Sequence, residues 1–300
     1  MCDVTTDDIQ KLLNKMCDSG YSYAYTRHVF IVLKELFKHA YNVEDIQKNP
    51  IDRVTLLKKD KYKPEREIVP LERHEVQLLE EVAERKNGRG NPLHRHGKVI
   101  VLMLNTGVRI GEMRGLRWQD VDLQNRVIHI RNSLVNVRDR NEDAEMKTII
   151  ELKSPKSYSG IRDIPLNAKA VEALQAIQQY AQEHGYTSEF VGCTAKGNPL
   201  GKDPIVETLE RMARDADIER NVNQHLLRHT FATRILSKDV GVDLAVASKM
   251  LGHSKVSTTQ QLCPCVTGAG ATGSATSGKT LNWCQSLCQI EREHPLNPHG

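Results

Sequence analysis

An α+β, mostly helical fold in two domains is what this 300-residue sequence predicts. Three observations predict it. Apolar residues recur at helical spacing over much of the first 262 residues, strand-like alternation is confined to the middle of the chain, and a charged stretch with two prolines separates an N-terminal helical pair from the rest. The length suffices for two domains with cores of their own. With 39% hydrophobic and 27% charged residues, the composition is that of a globular protein. The longest apolar run, "VIVLMLNTGV" (99–108), is too short for a membrane span, and the opening "MCDVTTDDIQ" is polar and acidic, unlike a signal peptide. The expected location is the cytoplasm, with no membrane partner.

The first helix is expected in "TTDDIQKLLNKMCDSG" (5–20), which opens on Thr/Asp capping residues, spaces Ile9, Leu12, Leu13 and Met16 helically, and stops at Gly20. A second follows in "SYAYTRHVFIVLKELFKHAYN" (22–42), with Val29, Leu33, Leu36, Phe37 and Ala40 on one face. "KNP" (48–50) closes this helical domain, and "LLKKDKYKPEREIVPLERHE" (56–75) lacks apolar periodicity. The expected division is a helical domain over 1–60, a linker over 61–71, an α+β domain over 72–262 and an aberrant, disordered tail over 263–300.

Within the second domain, "LERHEVQLLEEVAER" (71–85) and "GKVIVLMLNTG" (97–107) read as helices, the latter apolar nearly all round and therefore buried. "RWQDVDLQNRVIHIRNSLVNV" (117–137) alternates apolar and polar residues about an Asp-Leu-Gln-Asn turn, a hairpin signal. "TIIELKSPKSYSGIRDIPL" (148–166) reads as two further strands joined by a Lys/Ser/Gly loop, with Lys156 at the tip of a hairpin. Four helical patterns complete the domain, over 168–185, 203–217, 223–239 and 243–253.

The formal net charge is +4, unevenly spread. "RKNGRGNPLHRHGK" (85–98) holds five Lys/Arg and two His without an acid, and a second basic set comprises Arg131, Arg138, Arg140, Lys147, Lys153, Lys156 and Arg162. Solvated loops would account for both; so would a surface that meets phosphates. Three of the seven cysteines (Cys2, Cys17, Cys193) are scattered through the body, whereas Cys263, Cys265, Cys284 and Cys288 crowd into the tail. So abrupt a shift points to a tail of different origin.

Three segments hold the chemistry: "NTGVRIGEMRGLRW" (105–118), "SPKSYSGIRDIPL" (154–166), and "HLLRHTFATRIL" (225–236) with "MLGHS" (250–254). His225 and His229 stand four apart, as metal ligands on one helix face can, but Leu226 occupies the place of the Glu in an H-E-x-x-H site and Arg228 between them repels a cation. No metal is expected. Two guanidiniums, an ammonium and imidazoles, with no carboxylate pair for Mg²⁺, suit a phosphate in transition: arginines fix non-bridging oxygens by paired hydrogen bonds, and Lys or His protonates a leaving alkoxide.

In this order and spacing, "TGVRIGEMRGLRW", "PKSYSGIRDIPL", "HLLRHTFAT" and "LGHS" closely resemble the tyrosine recombinase (phage integrase) family. The likeness runs over about 1–260, the N-terminal helices with "NPIDRV" resembling the family's core-DNA-binding domain. It implies a C-shaped clamp on double-stranded DNA, site-specific breakage and rejoining by transesterification without metal or nucleotide cofactor, and a homotetramer on two paired sites that exchanges C-terminal segments. Residue by residue, it implies that Arg109 and Arg228 clamp the scissile phosphate. Lys156 would be the general acid towards the 5′ oxygen, with Lys153 its rival. His225 would assist proton transfer, His253 would hydrogen-bond a phosphate oxygen, and Glu112 would support the site. Arg114, Arg117 and Arg234 read as surface or structural residues, and Met250 and Leu251 as core. His229 is left between packing and phosphate contact.

The family's nucleophile, a tyrosine about nine residues after the last histidine, is missing: Leu262 holds that position, and no tyrosine follows Tyr186. Codon arithmetic offers a reason. Tyr-Ala-His-Val encoded TAT GCC CAT GT, read one nucleotide out of step after a C, becomes CTA TGC CCA TGT, the Leu-Cys-Pro-Cys of 262–265. The expectation is a frame slip near Gln260–Gln261 and accidental translation beyond. The alternative is a DNA-binding remnant of an integrase without activity. The front end is expected to be truncated too, because family members carry a further helix or two before a segment like "TTDDIQKLLN". The tail's "GSATSGKT" (273–280) satisfies G-x-x-x-x-G-K-[ST], yet no strand precedes it and little chain follows, so nucleotide binding is not expected.

Overall fold

The computed structural model describes residues 4–64, 68–138, 148–154 and 160–262. The chain divides into two compact units, Met1–Glu67 and Ile68–Gly300. That division falls inside the stretch read as a linker.

In the first unit, α1 (Thr6–Asp18) starts from a reciprocal cap: the Thr5 hydroxyl accepts from the Asp8 N–H, and the Asp8 carboxylate accepts from the Thr5 N–H at 2.9 Å. α2 (Tyr23–Asn42) is capped one way only, the Ser22 hydroxyl accepting from the Tyr25 N–H at 3.2 Å. Ile9, Leu13 and Met16 of α1 meet Phe37 of α2, and Ile51 and Val54 from the following turn close the cluster. Leu12 and Leu36, expected on the apolar faces, are each 45% exposed. The buried side of α2 runs through Thr26, Leu33, Phe37 and Ala40, and Leu36 lies one helical step, about 100°, away from it.

The second unit contains α3 (Arg73–Glu84), α4 (Gly97–Thr106), α5 (Ile110–Gly115), β1 (Val121–Asp122), β2 (Val127–Ile130), β3 (Ser133–Arg138), β4 (Thr148–Lys153), β5 (Arg162–Pro165), α6 (Ala168–Glu183), α7 (Lys202–Asp215), α8 (Gln224–Leu236), α9 (Leu244–Leu251) and α10 (Val256–Leu262). Its axis is α4, packed against α3, α6, α7 and α8, with nine of its ten residues buried. The polar pair at its end is satisfied: Asn105 donates to Val101 O and Glu80 Oε1, and Thr106 to Leu102 O. Gly107 then ends the helix at φ +63, a backbone that L side chains rarely adopt, and a Cβ there would stand 2.4 Å from the Phe231 ring.

The strands form two antiparallel sheets, β1-β2-β5 and β3-β4. This corrects the hairpin expected around Lys156. Both flanking strands exist but belong to different sheets: β4 pairs with β3, and β5 with β2 in the register Ile128↔Ile164. The reason is burial. Ile128 and Ile164 reach the core completely, whereas Ile149 and Ile150 of β4 are 42% and 52% exposed, so β4 has little apolar surface to bring to the core sheet. Lys156 itself lies outside the described residues, as does the tail 263–300. Among the described residues, no helix is long and apolar enough to cross a membrane.

Candidate active site

The turn at Gly107 directs the chain into α5 with Arg109 at its N-cap. Glu112, one turn on, accepts from the Arg109 N–H at 2.8 Å and from the Arg109 guanidinium at 2.8 Å. α5 lies close on β3: a Cβ on Gly111 would meet Ser133 Oγ at 2.6 Å and Leu134 O at 2.9 Å, so only glycine permits this approach. Opposite, Arg162 at the start of β5 grips Glu112 with both Nη atoms, at 3.0 and 2.7 Å, and donates from Nε to Met250 O at 2.6 Å. Burial alone would push the Glu112 carboxyl up. The hydrogen bonds and charge of Arg162, aided by Arg109, outweigh it and bring the pKa down to about 2.

α8 starts where Asn223 Oδ1 accepts from the N–H groups of His225 and Leu226, both at 3.0 Å. One turn further, buried Arg228 donates to Gly107 O at 2.6 Å, to Leu251 O, and to His253 Nε2 at 3.1 Å. α9 ends at Gly252 in the left-handed conformation, which turns His253 back towards this guanidinium. Arg109 Nη2 donates to Gly252 O at 3.3 Å, so the loop carrying His253 is held from both α5 and α8. Burial first, then the neighbouring charge of Arg109, lowers the Arg228 pKa to about 9. Burial and the charges of Arg228, Arg109 and Arg162 lower His253 to about 4, so its ring is neutral at pH 7.

The structure therefore brings together Arg109, Glu112, Arg228 and His253. Three guanidiniums face one carboxylate, and the Arg109 side chain, 44% exposed, presents the surplus positive charge to solvent. A surplus of this kind attracts anions. His225 is exposed on α8, one turn before Arg228. Lys153, the rival to Lys156, pairs with Glu151 at 2.7 Å. Leu262 is the last residue of α10. His229 is buried.

Two members of the cluster escaped the sequence reading. Arg162 appeared only as one of a basic set, although a charged residue two before Ile164, on the buried face of a strand, is a period-two signal. Thr259, completely buried, lies 2.8 Å from His253 Nδ1 through its hydroxyl, and nothing in "STTQQ" distinguishes it from Thr258. Arg114 is structural, buried and donating to Leu200 O at 2.9 Å. Arg117 lies over Phe190, and Arg234 is exposed. Much of the basic stretch 85–98 is tied into the fold: Arg85 and His94 bond to Asp215, Lys98 pairs with Glu84, and Arg95 lies over the Tyr186 ring.

The model of the phage integrase family matches residues 70–262, well over half of the chain. The chain belongs to that family. It is similar to a tyrosine recombinase XerC-like protein of Caldanaerobacter subterraneus subsp. tengcongensis, 26% identical over 85% of this chain and 65% of that protein. It is also similar to the tyrosine recombinase XerC of Pediococcus pentosaceus, 25% identical over 80% and 73%, and to the transposase from transposon Tn916 of Enterococcus faecalis, 25% identical over 85% and 62%. The chain thus spans about two thirds of the length of these curated relatives. Among solved structures it shares the fold of the Tn1549 transposon integrase in complex with a circular intermediate DNA, with a TM-score of 0.67 at 22% identity over 98% of this chain and 87% of that one. It likewise shares the fold of the XerH site-specific recombinase bound to palindromic difH substrate, with a TM-score of 0.62 at 20% identity over 87% and 69%. The mostly helical architecture with small antiparallel sheets is that of these integrases.

Proposed function

We propose that this chain grips double-stranded DNA and holds one backbone phosphate between Arg109 and Arg228, in the design of an enzyme that breaks and rejoins DNA at specific sites. The observation that carries the reading is the surplus positive charge of the cluster, in which, among the described residues, buried Arg162 and Arg228 and half-exposed Arg109 face the one carboxylate of Glu112. Arg228 is aimed by the carbonyls of Gly107 and Leu251, and Arg109 by Glu112, so both guanidiniums are oriented before any ligand arrives. Arg109 and Arg228 neutralise the non-bridging oxygens and the charge that grows on them as the phosphorus becomes pentacoordinate. In the forward step a nucleophile bonds to phosphorus, the bond to the 5′ oxygen breaks, and Lys156 gives that oxygen its proton, with His225 assisting from the solvent side. His253 bonds a phosphate oxygen, and Glu112 supports the clamp from within the fold. The assembly is a homotetramer on two paired sites, acting in the cytoplasm.

The nucleophile in this design is a tyrosine phenol, which remains linked to the 3′ phosphate until rejoining. At its position stands Leu262, whose hydrocarbon side chain can form no such bond. The family match ends at residue 262, close behind Gln260–Gln261, which supports a frame slip near those residues. The same leucine favours the second reading for the chain as written, a DNA-binding remnant that never cleaves.

A duplex selected by binding from a random pool, then nicked to make a half-site from which cleavage is irreversible, tests the proposal. The unaltered chain binds it in a salt-sensitive manner and forms no covalent adduct, whereas Leu262→Tyr forms one. An adduct with the unaltered chain overturns the assignment of position 262. Absence of any selected duplex overturns the reading altogether.

A further inference from the structure

His253 is held from both sides of its ring. Nε2 lies 3.1 Å from Arg228 Nη2 and Nδ1 lies 2.8 Å from Thr259 Oγ1. A guanidinium has hydrogens to give and no lone pair to accept, so Nε2 is the acceptor of that contact. The neutral ring then carries its proton on Nδ1 and donates it to the Thr259 hydroxyl. Burial, with the positive charges of Arg228, Arg109 and Arg162 and against the opposing charge of Glu112, keeps the ring in this neutral form.

That tautomer is the wrong one for a phosphate. Phosphate oxygens only accept, and with its proton on Nδ1 the ring offers a lone pair at Nε2. For His253 to hydrogen-bond a phosphate, one proton must leave Nδ1 and one must join Nε2, with no net change in the charge of the ring. Nδ1 then becomes an acceptor in a place where Thr259 is 0% exposed and water is excluded from its side. A hydroxyl answers both situations, because by rotation about its C–O bond it accepts from Nδ1–H or donates to bare Nδ1. A carboxylate would hold only the first state, and a methyl group neither.

We propose that Thr259 is a positioning residue for His253: its hydroxyl accepts from Nδ1–H in the free protein and donates to Nδ1 once a DNA phosphate takes a hydrogen bond from Nε2–H. The phosphate half of this proposal rests on the recombinase reading above; the tautomer of the free protein does not. Thr259 also lies on α10 three residues before position 262, the spacing of neighbours on one helix face. The contact therefore couples the imidazole to the segment where the nucleophile is expected, so that the ring and α10 are placed together.

Long-range ¹H–¹⁵N correlation of the histidine rings in the full chain decides between outcomes. The free protein shows His253 with its proton on Nδ1, and the selected duplex moves the proton to Nε2. Thr259→Ser keeps both signatures. Thr259→Val loses the single Nδ1–H form in the free protein, and in the Leu262→Tyr background it slows adduct formation on the order of tenfold while duplex affinity stays within about twofold. A free-state proton on Nε2, a bound duplex that leaves the proton on Nδ1, a valine variant indistinguishable from the unaltered chain, or a serine variant that behaves like valine each overturns the proposal. If Thr259→Val does not fold, the serine variant and the two spectra of the unaltered chain still decide. If no duplex binds, the recombinase reading fails, and the free-state spectrum still tests the contact between Thr259 and His253.

Discussion

In the N-terminal unit the main hydrophobic cluster joins six buried side chains from α1, α2 and the turn after them, and Tyr25, Val32 and Leu36 of α2 stand 54%, 65% and 45% exposed. In the C-terminal unit α4 alone buries nine of its ten residues, and Glu112 and Arg162 sit beside that core with side chains only 4% and 5% exposed. Two helices share one side, and whatever lies off that side meets solvent. A helix wrapped by four others has no outer face, and its surroundings are dry enough to make an ion pair both strong and dangerous to break. The charged cluster stands where packing leaves the side chains the least choice.

The largest break of that contrast is Arg162→Ala, which strands the Glu112 carboxylate in the interior. A loss of about 3–5 kcal/mol is expected for the C-terminal unit in urea unfolding. Glu112→Gln combined with Arg162→Met, which removes both charges, costs much less; equal losses for the single and double variants would contradict the ion-pair account. Gly107→Ala comes next, at about 1–3 kcal/mol, since alanine is strained at φ +63 and its Cβ enters the Phe231 ring. An unchanged denaturation midpoint would show that the turn tolerates a side chain.

Acid sharpens the comparison further. Glu112 is depressed to about 2 from an ordinary 4.5, so its contribution to stability is complete above pH 4.5 and is lost as the pH falls through about 2. His253 is depressed to about 4 from 6.5, so the fold favours its neutral ring, and that contribution is complete above pH 6.5 and lost as the pH falls through about 4. Urea midpoints measured from pH 7 to pH 2 should therefore decline in two stages for the C-terminal unit. His96, which burial and the charges of Arg95 and Arg211 also lower to about 4, titrates in the same upper stage, so His253→Gln shrinks that stage and leaves the lower one unchanged. The smallest effect belongs to Leu36→Ala, within about 0.5 kcal/mol, against about 3–5 kcal/mol for its buried neighbour Phe37→Ala. Equal costs at 36 and 37 would mean that the exposed face of α2 is covered in solution.

Periodicity made the helices legible, because burial on one side of a helix writes itself into spacing; the Thr/Asp cap that opens α1 was visible for the same local reason. The β1–β2 hairpin was legible from its Asp-Leu-Gln-Asn turn, but the pairing of β4 and β5 was not. "TIIELK" and "RDIPL" both read as strands, but which partner each takes depends on whether Ile149 or Ile164 reaches the core, a property of the assembled layers. Arg109, Arg228 and His253 could be named because "TGVRIGEMRGLRW", "HLLRHTFAT" and "LGHS" resemble the motifs of the phage integrase family. Arg162 shows in the sequence only as a charge in phase with Ile164, its partner Glu112 lying about 50 residues away, and Thr259 does not show at all, because its role is made by a single hydroxyl.

The most direct test of the central claim is the rate of covalent adduct formation on the nicked half-site by Leu262→Tyr, compared with the same variant carrying Arg228→Lys. A preoriented phosphate clamp predicts that the lysine, which cannot reach Gly107 O, Leu251 O and a phosphate oxygen together, lowers the rate on the order of 10²–10³-fold while the duplex stays bound. Equal rates, with both variants forming the adduct, would contradict it: the buried arginine would then be part of the fold and no part of the chemistry.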